Sequence, residues 1–277
     1  LAILRELAQQ AGHRLLPGLF LKQSRGHVSP AVKEETLAYE RSAWIEGVRD
    51  PERFLLVTLK GLNVSERHGF LDGAASGYAG LGMCMDFVPM FRLASGYHRR
   101  AVALAEIAVE RSNVMGADVS ESKTTFALAC CQLGRPEEAL SALDDGVRGG
   151  AYADAIEALA AAMIGDADRA LSAAARIEQR PEATYLDRVI GAVGAGAGEV
   201  LRGDIEAARR VLDAAAVIAR DAGDAVARAL VARVARVVVE RDPALDHDHL
   251  GPGWVRVVDA LAATVVPPTG GVVAEPA

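Results

Sequence analysis

The sequence predicts an all-α protein, a right-handed superhelical stack of antiparallel helix pairs of the tetratricopeptide (TPR) type, that is, an α-solenoid. Three observations lead to it. Apolar residues recur at helical spacing along most of the chain, and sustained period-two alternation occurs nowhere. Three Gly-acid-Ala turns share one internal layout. Hydrophobic residues make up 51% of the 277 residues but aromatics only 5%, so the core must be built of small side chains packed closely.

The elements follow in order. Ile3, Leu4 and Leu7 form a stripe in a helix over Leu1 to Ala11, and Pro17 starts or kinks a second apolar stretch, Leu15 to Leu21. After a loop from Ser24 to Ser29, Pro30 opens a helix with Leu37, Trp44 and Ile45 on one face. Asp50-Pro51-Glu52 is a helix start: an acidic cap, Pro in the first turn, then Glu beside the positive helix end. That helix carries Phe54, Leu55, Leu59 and Leu62 and stops near Gly69. A Gly-, Ala- and Met-rich stretch, Phe70 to Phe87, ends before Pro89. Phe91 to Ser112 is a long helix with Leu93, Ala94, Tyr97, Ala101, Leu104 and Ala108 as its stripe. Further helices with short Gly-containing turns run from Ser120 to Asp242-Pro243, and Val237-Val238-Val239 continues a helical pattern. Pro267 to Ala277 reads as a disordered tail.

The internal repeat is carried by Gly134 with Ala139, Gly165 with Ala170, and Gly203 with Ala208. The glycines lie 31 and 38 residues apart, bracketing the roughly 34-residue TPR period. Glycine ends one helix in a left-handed conformation without a Cβ clash, acids open the next, and Ala at the fifth position lets the two helices of a hairpin approach. Such a hairpin cannot bury its own face, so its neighbours must stack on it. Gly134 to Val147 is the best match to the TPR pattern; the other two lack its aromatic positions. The expected organisation is a helical-hairpin region over 1–116, degenerate repeats over 117–263 and a tail over 264–277.

The first half resembles the helical region at the C-terminal end of bacterial proteins that join a class III adenylate or guanylate cyclase, an AAA-type ATPase and TPR-like repeats. The residues concerned are Ala38-Tyr39-Glu40-Arg41, Thr58 to Arg67, Tyr78-Ala79, Val88-Pro89, Arg92-Leu93-Ala94 and Tyr97 to Glu106. The likeness is close over Leu15 to Asn113 and looser to Gly253-Trp254; Leu250 to Leu261 resembles the tails of such proteins. Asn63 to Arg67 is the distinctive stretch. The resemblance implies a non-catalytic regulatory region, because the cyclase aspartates and the ATPase phosphate loop have no counterpart here. Since the chain starts at Leu1 inside a helix, it is expected to be a fragment of a longer signalling protein.

The chemistry-bearing motifs are weak. A net charge of -7 argues against a nucleic-acid partner, and 26 of the 30 cations are Arg, a composition effect. No Gly is followed by Lys, which removes the phosphate loop. Gly191, Gly194, Gly196 and Gly198 miss the dinucleotide fingerprint and read as a tightly packed helix. His247-Asp248-His249 lacks a third ligand, and Cys84, Cys130 and Cys131 read as buried thiols in a reducing cytoplasm. No run is apolar and long enough for a membrane span. Tyr39, Trp44, Tyr78 and Tyr97 are spaced like core aromatics. Arg92, His98, Arg99 and Arg100 are the candidate interaction patch, suited to an acidic protein partner. The expected function is thus a scaffold with no catalytic residue, metal or cofactor, contacting a protein partner or other domains of its parent. The alternatives are the sensor arm of an ATPase-type transcriptional regulator and, less favoured, a helical-fold enzyme.

Overall fold

The computed structural model describes residues 1–16, 28–87, 90–115, 120–144, 150–240, 250 and 252–265. Within them the chain is all-α: α1 (Ala2–Leu15), α2 (Pro30–Arg49), α3 (Pro51–His68), α4 (Leu71–Phe87), α5 (Phe91–Met115), α6 (Ser120–Gln132), α7 (Pro136–Asp144), α8 (Ala151–Met163), α9 (Ala167–Glu178), α10 (Tyr185–Leu201), α11 (Ile205–Asp221), α12 (Ala225–Val234) and α13 (Pro252–Val265). No strand occurs among the described residues. The Val237–Val239 run does continue α12, but as a wider π-helical segment, Ala235–Val239. His247-Asp248-His249 and 266–277 lie outside the described residues, whereas Thr264 and Val265, expected in the tail, still belong to α13.

Local chemistry sets the helix ends. Asp50 accepts hydrogen bonds from the Glu52 and Arg53 amides at 3.0 and 3.1 Å and so caps α3. Gly69 closes that helix with φ of 65°. Packing follows chain order. Each helix from α2 to α12 lies against the next, and α8 also lies directly on α10. α13 returns across earlier ends: Arg256 donates to the Gln132 carbonyl at 2.7 Å and Thr264 to the Met163 carbonyl at 2.9 Å. Both acceptors belong to last turns, where carbonyls lack helical partners.

The core falls into two clusters that meet on α5. Ala101 joins Leu59, Leu62, Ala74, Tyr78 and Leu81; Val102 joins the larger cluster running from α6 to α13. Two predicted stripes differ from this packing. On α1, Leu4 and Leu7 are 67% and 43% exposed, while Glu6, Gln10 and His13 are buried. On α2, Trp44 and Ile45 are exposed and Thr36 is buried. In both cases the neighbouring helix offers polar partners to the buried face, which overrides the apolar periodicity.

The centre of the larger cluster is α10. A Cβ on Gly194 would stand 2.5 Å from the carbonyl carbon of Ala158, so the backbones of α8 and α10 touch there. Ala at Gly194 should therefore cost about 1–3 kcal/mol through overpacking. Gly96, on α5, has nothing within 4 Å of the same position. Ala there should stabilise by about 0.5–1 kcal/mol through helix propensity. Urea denaturation of the two variants checks the pair, and opposite signs are expected.

Candidate functional site

The predicted repeat turns form one recurring unit. Gly134, Gly165 and Gly203 have φ of 74°, 84° and 85°. At Gly165 the glycine amide bonds Ala162 O and the Asp166 amide bonds Ala161 O; at Gly203 the acceptors are Val200 O and Glu199 O. This is the Schellman pattern. The same Asp then caps the next helix, Asp166 accepting from the Arg169 amide at 3.0 Å and Asp204 from Ala207 at 2.8 Å. Gly134 is followed by Arg135 and Pro136 instead, so its turn has the Schellman bonds without the Asp cap. Ala139, Ala170 and Ala208 are each fully buried. Ala170 lies 3.5 Å from the position of a Cβ on Gly198, against α10 as well as beside its own turn.

Sequence reasoning missed a fourth unit. Gly223 has φ of 74°, and Asp224 caps α12 through the Ala227 amide at 2.9 Å. Its fifth-position residue is Arg228 and the buried small residue is Ala227 at the fourth, so the spacing rule passed over it; Gly-Asp alone would have found it.

The predicted cationic patch is not one surface. Arg92, Arg99 and Arg100 are exposed, but His98 is fully buried, its ring 2.4 Å from where a Cβ on Gly82 would stand. His98 is therefore withdrawn from the patch: on a helix it points about 100° away from Arg99 and about 160° away from Arg100, into α4. Arg100 lies over the Tyr78 ring at 4.9 Å, and Tyr78 stacks with Tyr97 at 6.0 Å. Of the four predicted core aromatics Tyr78 is fully buried, Tyr39 and Tyr97 are half-buried, and Trp44 is 39% exposed. Trp44 meets Tyr152 edge-on at 5.5 Å, joining α2 to α8.

The densest polar constellation lies between α1 and α3, on the distinctive Asn63 to Arg67 stretch. Asn63 donates to Glu6 Oε2 at 2.9 Å and accepts from Gln10 Nε2 at 2.8 Å. Glu66 receives Gln10 Nε2 and His13 Nδ1, both at 2.8 Å, and a short bond from the Tyr78 hydroxyl. Beside this seam a shallow groove of about 340 Å³ is lined by Arg5, Glu6, Gln9, Tyr39, Lys60, Asn63, Val64 and Arg67. Burial raises the Glu6 carboxyl, but hydrogen bonds from Asn63 and Arg5 and the charges of Arg5 and Lys60 outweigh it, leaving it below the usual carboxylate value. Tyr78 is raised, by burial first and then by the charge of Glu66.

A second constellation ties α7, α8 and α9. Arg169 bonds Glu157 at 2.8 Å and Asp144 at 2.5 Å. Arg176 bonds Asp154 at 2.8 Å and Glu157 at 2.5 Å, and Arg180 bonds Asp154 at 2.5 Å. Every acid in it faces a guanidinium, an arrangement that holds helices together. The three thiols are buried, and burial pushes Cys84 and Cys130 up to about 12 and Cys131 higher still. They are poor nucleophiles in that state. Among the described residues no three His, Cys, Asp or Glu side chains group as metal ligands, and no helix is long and apolar enough to cross a membrane. Against known protein families, curated proteins and solved structures, the chain matches none.

Asn63→Ala should leave Glu6 Oε2 without its donor, Oε1 keeping Arg5, and cost about 1–3 kcal/mol at neutral pH. Because Glu6 titrates below its ordinary value when folded, its contribution is complete above about pH 5 and is lost as the pH falls through the folded value. Denaturation midpoints followed from pH 7 to pH 3 should therefore converge for wild type and variant at the acid end. At the alkaline end Tyr78, Tyr152 and Tyr185 are all raised, chiefly by burial. Their protonated forms support the fold fully below about pH 10, and that support is lost above it. Absorbance of tyrosinate should show these three ionising only as the protein unfolds.

Proposed function

We propose that the chain is a non-catalytic TPR-like scaffold, a right-handed stack of antiparallel helix pairs that contacts a protein partner or other parts of its own parent. The observation that carries this reading is the Gly-Asp turn, in which one residue finishes a Schellman motif and caps the next helix at Gly165, Gly203 and Gly223. A turn that short and that rigid reverses the chain and repeats.

Cross-helix pairings support antiparallel neighbours. Asp154, early in α8, bonds Arg176 and Arg180 at the end of α9. Arg202, after α10, bonds Asp168 at the start of α9. Tyr185, at the start of α10, bonds Asp224 beyond the end of α11 at 3.1 Å. The division into a hairpin region over 1–116 and repeats over 117–263 fits the two core clusters that meet on α5. The resemblance of Asn63 to Arg67 and its surroundings to cyclase–ATPase proteins supports a parent of that signalling class, acting in the cytoplasm. In such a parent the scaffold regulates and the chemistry belongs to other domains.

Two measurements test the reading. Ala170→Leu should overpack its site at a cost of about 1–3 kcal/mol. Hydrogen exchange of that variant should rise first in α8 to α11 while α3 and α4 stay protected, because stacked repeats pass stress only to their neighbours. Uniform loosening would mean a single cooperative globule. The isolated chain should neither hydrolyse ATP nor form a cyclic nucleotide; turnover that a single substitution here abolishes would overturn the scaffold reading.

A further inference from the structure

The groove beside the α1–α3 seam is rich in hydrogen-bond donors and poor in free acceptors. Its walls include Arg5 and Gln9 of α1, Tyr39 of α2, and Lys60, Val64 and Arg67 of α3. The three α3 residues stand at i, i+4 and i+7, along one face of that helix. Gly61 brings Tyr39 to them: a Cβ there would stand 3.1 Å from the Tyr39 Cβ, so α2 lies tight against α3 at this point.

Among the described residues the lining holds a single acid, Glu6, and both its oxygens are taken: Oε2 accepts from Asn63 and Oε1 from Arg5. Asn63 is likewise engaged, with Glu6 and Gln10. The Lys60 ammonium, the Arg67 guanidinium and the Tyr39 hydroxyl, by contrast, have no hydrogen-bond or ion-pair partner among the described residues. Burial first, then the charges of Glu35 and Glu6, raises the Tyr39 hydroxyl, which therefore stays protonated and able to donate. Glu35 is exposed on α2, one turn before Tyr39, and does not line the groove. Three cations thus face one engaged carboxylate, in a chain whose net charge is -7.

An occupant must bring the missing acceptors, and bring them as negative charge. Lys60 and Arg67 leave α3 two turns, about 10 Å, apart, with Val64 between them. Two carboxylates on one extended segment match two cations so placed. The groove is too shallow to enclose a small molecule over most of its surface, as ligand pockets do. We propose that it docks an acidic peptide segment of a protein partner, with Lys60 and Arg67 anchoring two of its carboxylates. The proposal rests on the scaffold reading for the kind of occupant and not for the groove. Hydrogen exchange of the Ala170→Leu variant does not probe this groove, so either reading can fail alone. The acidic partner expected of the α5 arginines is given a different seat, and those arginines become the control.

Hexaglutamate titrated to millimolar concentration into the isotope-labelled chain at low salt should shift the amide resonances of Gln9, Val64 and Arg67. The affinity should fall as salt is raised, and hexaglutamine should not bind. Lys60→Gln and Arg67→Gln should each weaken binding about two- to fivefold, and together about tenfold. Arg99→Gln, on exposed α5 surface, should leave it unchanged. Val64→Glu keeps every cation but sets a carboxylate one turn from both Lys60 and Arg67, so it should abolish binding with unchanged circular dichroism. Absence of shifts, equal binding of hexaglutamine, an equal loss with Arg99→Gln, or binding that survives Val64→Glu would each overturn the proposal. So would equal shifts from inorganic phosphate at the same concentration, which would make the groove a seat for small anions.

Discussion

Close approach of helix backbones is the constraint on which this structure depends. Alanine buries little surface by itself, so an alanine core is cohesive only if helices come near enough for backbone atoms to touch. The contact of Gly194 with Ala158 shows how far this goes, and Ala155, Ala158, Ala160, Ala161 and Ala162 of α8 are all fully buried. One added methyl group at such a point has nowhere to go. The few large aromatic side chains of the core include Trp254 on α13 and Tyr78 at the polar seam.

Close packing demands turns that are short and uniform, and the Gly-Asp unit meets that demand with local chemistry. Its glycine adopts a positive φ that a side chain would strain, and its aspartate serves two helices at once. The ion-pair ladder of Asp154 and Glu157 with Arg169, Arg176 and Arg180 then ties α8 to α9 along the hairpin's outer side. Pairs of this kind, with half-exposed arginines, contribute modestly to stability but specify which helix lies beside which.

The α1–α3 seam follows a different logic. It joins helices by directed hydrogen bonds in which Asn63 and Glu66 each serve several partners. Such a network is intolerant of a missing member, because the groups left behind are buried. It also leaves Leu4, Leu7 and Leu15 on the exposed side of α1.

Much was legible in the sequence. Helical class followed from periodicity, and the starts of α3, α9 and α11 followed from Asp50-Pro51, Gly165-Asp166 and Gly203-Asp204, because capping is chemistry between residues a few positions apart. The candidate site was legible only as a distinctive string, Asn63 to Arg67, with no indication that its asparagine and glutamate would be buried against α1. Tertiary structure alone decided which way α1 faces, that His98 points inward, and that Ala227 and not its neighbour takes the packed position of the fourth turn. The reason is physical: periodicity gives the spacing of a face, but its rotation toward the core depends on what the neighbouring helix presents. Where that neighbour offers Asn63 and Glu66, the polar side of α1 wins the interior and its leucines are left outside.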